Sequence, residues 1–338
     1  MRTRRATACL RLLAAVALGL ALAACSAGGS DDDGSAAEPG GSHAGTSQGT
    51  TFTFGVIGDY PYSPDQNAQF DRLIEAVNGE QPAFVLHLGD IGAQVCTDDA
   101  VTARLALLRR FTMPVIYTPG DNEWADCHEA AADPLQRLSR LRQLAFPSDQ
   151  SLGERTLTVA RQGADFPENA RFQFGGVTFV SVHQVGSKNG TGRDAAGDAE
   201  VQARVAANLA WVGAGFEAAT STASKGIVVF FQADPNFDLY GVGVRNAHTD
   251  LLRTLEREAV LYRRPVLLVH GDTHVFRVDK ALLGSADRRP IENVTRLENF
   301  GSPDVHWSRV TVDASRPDLF SFSPAIVGAN LVEHTPPR

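Results

Sequence analysis

The 338-residue chain is short of three things: long apolar runs, cysteine and positive charge. Its most apolar run, Leu10 to Ala24 with Arg11 inside it, falls below the roughly 20 residues that a membrane-spanning helix needs. Of four cysteines, Cys9 and Cys25 belong to that N-terminal region, which leaves Cys96 and Cys127 as the only pair in the remainder. Lysine and arginine number 31 against 39 aspartates and glutamates, a formal net charge of -8. Loss of Arg2, Arg4, Arg5 and Arg11 with a leader would take this to about -12, and such a balance argues against general nucleic-acid binding. It does not exclude a phosphorylated substrate, because divalent cations can reverse the local field.

What is present begins with a basic n-region (Arg2, Arg4, Arg5) and an apolar h-region ending in Leu22-Ala23-Ala24-Cys25, the pattern of a signal peptide. It resembles a bacterial lipobox. That resemblance implies cleavage before Cys25, a diacylglyceryl group on its thiol and an exported protein anchored on the extracytoplasmic side by lipid alone; a soluble secreted protein cut nearby is the alternative. Residues 26–50 are Gly, Ser, Asp and Ala without apolar periodicity and read as a flexible tether. The expected organisation is signal peptide 1–24, lipidated cysteine and linker 25–50, one domain 51–330 and a tail 331–338. In an oxidising compartment Cys96 and Cys127 are expected to form a disulfide, with two buried thiols as the alternative.

Thr51 to Ile57 and Ala83 to Leu88 read as buried strands, and Phe70, Leu73, Ile74 and Val77 recur between them at helical spacing, giving a βαβ unit. A helix containing Leu105 to Leu108, a strand Pro114 to Tyr117 and a helix 134–146 follow. Phe172 to Val182 alternates around Gly175-Gly176, a hairpin signal that predicts a second, more antiparallel sheet. Helices are expected over 198–218 and 247–262, strands at Ile227 to Phe231 and Val266 to Val269, and residues 274–312 are strand-like, with Val305 to Val312 the clearest. The class is α/β.

Five strands end in polar groups suited to metals: Asp59, Asp90, Asp121, Gln232 and the pair Asp272/His274. Open α/β sheets bind ligands at strand carboxyl ends, and several carboxylates gathered at one edge are tolerable when cations neutralise them. Each alone has a blander reading as a helix N-cap or a Gly-Asp turn.

The order of these groups, over roughly 52 to 280, resembles the calcineurin-like metallophosphoesterases, whose pattern is Asp-x-His, Gly-Asp, Gly-Asn-His-Glu/Asp, a later His and Gly-His-x-His. The resemblance implies a metallophosphoesterase-like sandwich of two mixed sheets flanked by helices (αββα). Here Pro61 replaces the first His, Asp121 and Asn122 stand for Asn-His, Gln232 for the lone His and Asp272 for the first His of the last motif. The strings Gly120-Asp121-Asn122-Glu123-Trp124, Gln232-Ala233-Asp234-Pro235 and His270-Gly271-Asp272-Thr273-His274 resemble an uncharacterised exported branch of the superfamily.

The resemblance implies one ion on Asp59, Asp90 and His274 and a second on Asp90, Asp121, Gln232 and Asp272. So oxygen-rich a set favours Mg²⁺, Mn²⁺ or Ca²⁺ over Zn²⁺, with iron a further option. The implied reaction is hydrolysis of a phosphomonoester or phosphodiester by metal-activated water, on a phosphorylated small molecule or other phosphoester. Asn122 can hold the phosphate but cannot protonate a leaving group, which makes His270, His128 and His183 the candidate acids, each with a surface or core role as the alternative. Against the enzyme stands a non-catalytic metal- or phospholigand-binding protein on the same fold, suggested by Pro61, Asn122 and Gln232.

Overall fold

Alternation along the strands sorts side chains into layers, because successive residues point to opposite faces. In a computed structural model, residues 51–332 are described; the leader, Cys25, the linker and residues 333–338 lie outside them. The strands are β1 (Thr51–Ile57), β2 (Val85–His87), β3 (Val115–Tyr117), β4 (Ala160–Arg161), β5 (Ala170–Phe174), β6 (Val177–Ser181), β7 (Gly226–Phe230), β8 (Val266–His270), β9 (Arg277–Asp279), β10 (Val294–Glu298), β11 (Trp307–Asp313) and β12 (Phe320–Ala325). They form a five-stranded sheet, β12-β11-β1-β2-β3, and a seven-stranded sheet, β4-β5-β6-β7-β8-β10-β9.

Between the sheets lie Phe54 and Val56 of β1, Leu86 of β2, Val228 and Phe230 of β7, and Leu267 and Val269 of β8. The alternate residues Ile57, Val85 and Val115 face the helices Pro64–Glu80, Asp98–Leu108 and Pro134–Ala145. Ile227, Val229, Val266 and Leu268 face the helices Ala195–Ser221 and Thr249–Tyr262. The result is four layers, αββα, a mixed α/β fold of two mixed sheets flanked by helices. Each fully buried Leu, Ile, Val or Phe contributes on the order of 1.5–3 kcal/mol.

The helix Pro64–Glu80 buries Phe70, Leu73, Ile74 and Val77, the stripe seen in the sequence. Asp133 accepts N–H bonds from Leu135 and Gln136 at the start of Pro134–Ala145, and Thr97 accepts from Ala100 at the start of Asp98–Leu108. Parallel pairing of β1, β2 and β3 aligns three carboxyl ends at one edge; β7 and β8 run parallel and contribute two more.

One expectation is corrected. The second sheet is no more antiparallel than the first: β6, β7, β8 and β10 pair in parallel, and its antiparallel pairings lie at the margins. The hairpin at Gly175-Gly176 marks one margin, and its local signal says nothing about the centre. β4 and β12 went unread; β12 is mostly exposed or half-buried and carries Pro324, features of an edge strand rather than a buried run.

Candidate metal centre

The five strand ends bring Asp59, Asp90, Asp121, Gln232, Asp272 and His274 into one cluster. Both oxygens of Asp59 accept from the Asp272 N–H, at 3.2 and 3.3 Å. His274 Nε2 lies 3.8 Å from Asp59 Oδ1. Its Nδ1 is 2.6 Å from the Ser302 carbonyl; that contact assigns the proton to Nδ1 and leaves Nε2 as the ligand-competent nitrogen, facing Asp59.

Asp90 is held from two sides, by the Asn122 N–H on Oδ1 at 3.1 Å and the Tyr62 hydroxyl on Oδ2 at 2.7 Å. Glycine at 120 is required for this approach, since a Cβ there would stand 2.0 Å from Asp90 Oδ1. Asp272 accepts from the Asp234 N–H at 2.8 Å and lies 3.4 Å from Gln232 Nε2. The Gln232 oxygen accepts from the Gly186 N–H at 2.6 Å, so as it stands this side chain turns its nitrogen, not its oxygen, to the carboxylates.

The loop after β3 is shaped by Glu123. Its fully buried carboxylate accepts from Ile91 N–H, Gly120 N–H and the Tyr117 hydroxyl. The expected disulfide Cys96–Cys127 is present, with Cα atoms 5.4 Å apart, and ties the loop after Asp90 to the loop after Asp121. Asp59, Asp90, Asp272 and His274 all adopt left-handed backbone, at φ 60°, 52°, 78° and 66°. Such conformations cost on the order of 1–3 kcal/mol each for non-glycine residues and concentrate at functional sites.

Burial raises the Asp59 and Asp90 carboxyls well above the usual range, and neighbouring carboxylates raise them further. Burial outweighs a downward pull from Ser187 and, with smaller repulsions from Asp272 and Asp126, brings Asp121 to about 7; Asp272 is raised for the same first reason. Among the described residues none of the four pairs with a lysine or arginine, and Asp121 Oδ1 is buried without a hydrogen-bond partner.

These are donors suited to a hard divalent cation: four carboxylates lacking countercharge, one orphaned oxygen and one imidazole with a free nitrogen. Yet among the described residues no three His, Cys, Asp or Glu side chains already close into a coordination shell.

None of the three histidines suggested as acids serves the cluster. Counting along β8, Val266 and Leu268 face the helices, so His270 does too; its ring stacks on Phe231 at 6.0 Å and burial lowers it to about 3. His183 has both nitrogens occupied, Nδ1 with Glu168 at 2.8 Å and Nε2 with the Trp124 N–H at 3.2 Å. His128 is exposed on the short helix Ala125–Ala130, with Nδ1 3.0 Å from Ala125 O. Asn122 is half-buried beside Asp90, and its side-chain amide makes no hydrogen bond among the described residues.

The sequence does not single out Tyr62, and of Ser302 it says only that Phe300-Gly301-Ser302-Pro303 is expected to flank this edge, with a turn as the alternative. Tyr62 follows Pro61, where the resemblance directed attention to a missing imidazole rather than to the phenol one residue on. Ser302 closes a chain: Tyr62 N–H donates to Gln66 Oε1, Gln66 Nε2 to Ser302 Oγ, and the Ser302 carbonyl meets His274. The string Phe300-Gly301-Ser302-Pro303 was the available signal.

The model of the calcineurin-like phosphoesterase family matches residues 52–276. No curated protein sequence matches the chain. Among solved structures, PhoD is 12% identical with a TM-score of 0.49, covering 81% of this chain and 68% of its own. The purple acid phosphatase PPD1 from yellow lupin (Lupinus luteus) seeds is 9% identical with a TM-score of 0.46, covering 83% of this chain and 55% of its own.

Proposed function

The chain belongs to the calcineurin-like phosphoesterase family, and from that membership we propose that it is an exported, metal-dependent hydrolase of phosphoester bonds. The observation that carries the reading is the set Asp59, Asp90, Asp121 and Asp272, the first three buried and the fourth half-buried, at four strand ends without an internal cation. Divalent ions held there would supply positive charge to the phosphoryl oxygens and a water of lowered pKa.

Asp59, Asp90 and His274 would hold the first ion, and Asp90, Asp121 and Asp272 a second, joined by Gln232 once its amide turns over. With a single imidazole among these donors, Mg²⁺, Mn²⁺ or Ca²⁺ is favoured over Zn²⁺. Tyr62 and the Asn122 N–H fix the orientation of Asp90, and the Asn122 side chain, half-buried beside it, would donate to a phosphoryl oxygen. With His183 and His270 engaged elsewhere and His128 exposed with Nδ1 at the Ala125 carbonyl, the proposed reaction has the leaving group depart without an imidazole acid, and rates should depend steeply on the leaving group's own acidity. Signal-like residues up to Cys25 and the Cys96–Cys127 bond support an extracytoplasmic location with a lipid anchor.

The test is elemental analysis of the purified mature protein after dialysis against Mg²⁺, Mn²⁺ or Ca²⁺, with turnover of 4-nitrophenyl phosphate and bis(4-nitrophenyl) phosphate. Two retained ions and turnover lost in Asp90→Ala support the proposal; turnover unchanged in Asp90→Ala sinks it. A second reading, a non-catalytic protein that binds a cation or phospholigand, draws on the engaged Gln232 oxygen and the unclosed shell. Ion retention without turnover of either ester would favour it.

A further inference from the structure

The loop after β6 approaches the carboxylates more closely than any motif position required. Gly186 lies so near that a Cβ on it would stand 2.7 Å from Asp272 Oδ1 and 3.0 Å from both oxygens of Asp121. Then Ser187, Lys188 and Asn189 take left-handed backbone in succession, at φ 45°, 55° and 59°, which non-glycine residues rarely do.

The turn is anchored from beneath. Arg204, fully buried, donates to Asn189 Oδ1, to the Asn189 carbonyl and to the His183 carbonyl, and its guanidinium lies 5.1 Å over the Trp124 ring. Thr191 Oγ1 donates to the Lys188 carbonyl at 2.8 Å. On this fixed support Ser187 and Lys188 are exposed, and Lys188 makes no ion pair among the described residues. Two residues of chain span at most about 7 Å, so a flexible four-carbon stem starting at Lys188 can reach the carboxylate edge.

Charge shows what such a lysine would do. Four carboxylates and two divalent cations cancel formally, so a loaded centre offers little net attraction to a phosphoester anion. Nearby arginines are committed: Arg193 donates to the Ala125 carbonyl and Arg204 to the turn itself. The other lysines are elsewhere, Lys225 before the amino end of β7 and Lys280 bonded to Glu292 O and Thr295 Oγ1.

We propose that Lys188 is the phosphate-binding cation of this site, its ammonium donating to a non-bridging phosphoryl oxygen of a substrate seated against Asp121 and Asp272. The assignment rests on the phosphoesterase reading above. It makes Lys188 a determinant of substrate affinity, acting on the anion and not on the ions.

The experiment compares the Mn²⁺-loaded mature protein with Lys188→Met and Lys188→Arg, reading inorganic phosphate binding by calorimetry, KM and kcat for 4-nitrophenyl phosphate, metal content and Tm. Loss of one charge-assisted hydrogen bond predicts phosphate binding weakened and KM raised roughly 10- to 100-fold in Lys188→Met. A smaller change in kcat, unaltered metal content and Tm, and recovery of most of the affinity in Lys188→Arg are expected with it. Wild-type phosphate affinity in Lys188→Met overturns the assignment while leaving the enzyme reading intact, as does a loss of metal or of Tm in that variant. A wild-type protein that neither binds phosphate nor turns over either ester overturns the phosphoesterase reading itself.

Discussion

Two groups of buried carboxylates lie within this fold and their surroundings differ in one respect. Glu168 is fully buried, and Arg142 Nη2 at 2.6 Å and His183 Nδ1 at 2.8 Å both meet its Oε1. Burial alone would raise it, but those partners outweigh burial and leave it at about 2. Asp59, Asp90 and Asp121 are buried and Asp272 half-buried; they have no arginine or lysine partner among the described residues, and are raised. Glu168 takes its countercharge from the chain and Glu123 takes three hydrogen bonds; the four acids left without an internal cation are those that the proposed ions would neutralise.

The largest effect should come from the unpaired group. Asp90→Asn keeps the shape and an acceptor for the Asn122 N–H, with the Tyr62 hydroxyl left to accept from the amide, but removes the charge shared by the two proposed ion positions. Turnover of 4-nitrophenyl phosphate is expected to fall by roughly 10⁴-fold, about 5 kcal/mol of barrier, while Tm of the chelator-treated protein holds or rises. A drop in that Tm would mean that Asp90, like Glu168, is structural.

Glu168→Ala should do the reverse. Breaking a buried pair from one side costs about 3–5 kcal/mol of stability, read as a lower urea midpoint, with ion content unchanged at temperatures where the fold persists. If the loss is under about 1 kcal/mol, the contrast between the two groups fails, because the internal countercharge would not be holding anything.

The sequence showed one half of this comparison far better than the other. Asp59, Asp90, Asp121, Asp272 and His274 each follow a recognisable strand, and position at a strand end is a local property. Glu168 meets His183 across 15 residues and Arg142 across 26, pairings that no periodicity encodes. The same limit explains the histidines: ring orientation depends on neighbours, although strand parity from Val266 onward would have turned His270 towards the helices. The helices and parallel strands were legible because apolar spacing is local too, whereas the parallel centre of the second sheet depends on which strands meet.

Removing the ions sharpens the comparison further. Asp121 is raised to about 7 in the fold against an unfolded value near 3.8, so the folded chain holds the proton longer. Stability is therefore lost as pH rises through that window, by something on the order of 2–4 kcal/mol. With chelator, the stability of wild type relative to Asp121→Asn should fall between pH 4 and pH 8, the difference cancelling the opposite contribution of the buried histidines, and Mn²⁺ should restore the wild type at the upper end. A difference between the two chelated proteins that stays constant over this range would show that Asp121 finds its countercharge within the chain after all.

The smallest effect concerns a group that belongs to neither set. His270 is neutral in the fold, lowered by burial to about 3, with Nε2 unpartnered between Phe231 and Phe237. The unfolded chain takes up a proton near pH 6.5, so this contribution is whole above that value and declines as pH falls towards 3, by about 1.4 kcal/mol per unit. His87, also lowered to about 3, and His183 carry the same sign. His270→Phe keeps a ring in the stack and deletes an unsatisfied buried nitrogen, so stability at pH 7 should stay within about 1 kcal/mol of wild type. Between pH 6 and pH 4.5 the variant should lose stability less steeply, by one proton's worth, in urea titrations run on both proteins in the same buffers. Equal slopes would mean that His270 keeps its proton in the fold, and would return it to the candidate acids that its place on β8 removes.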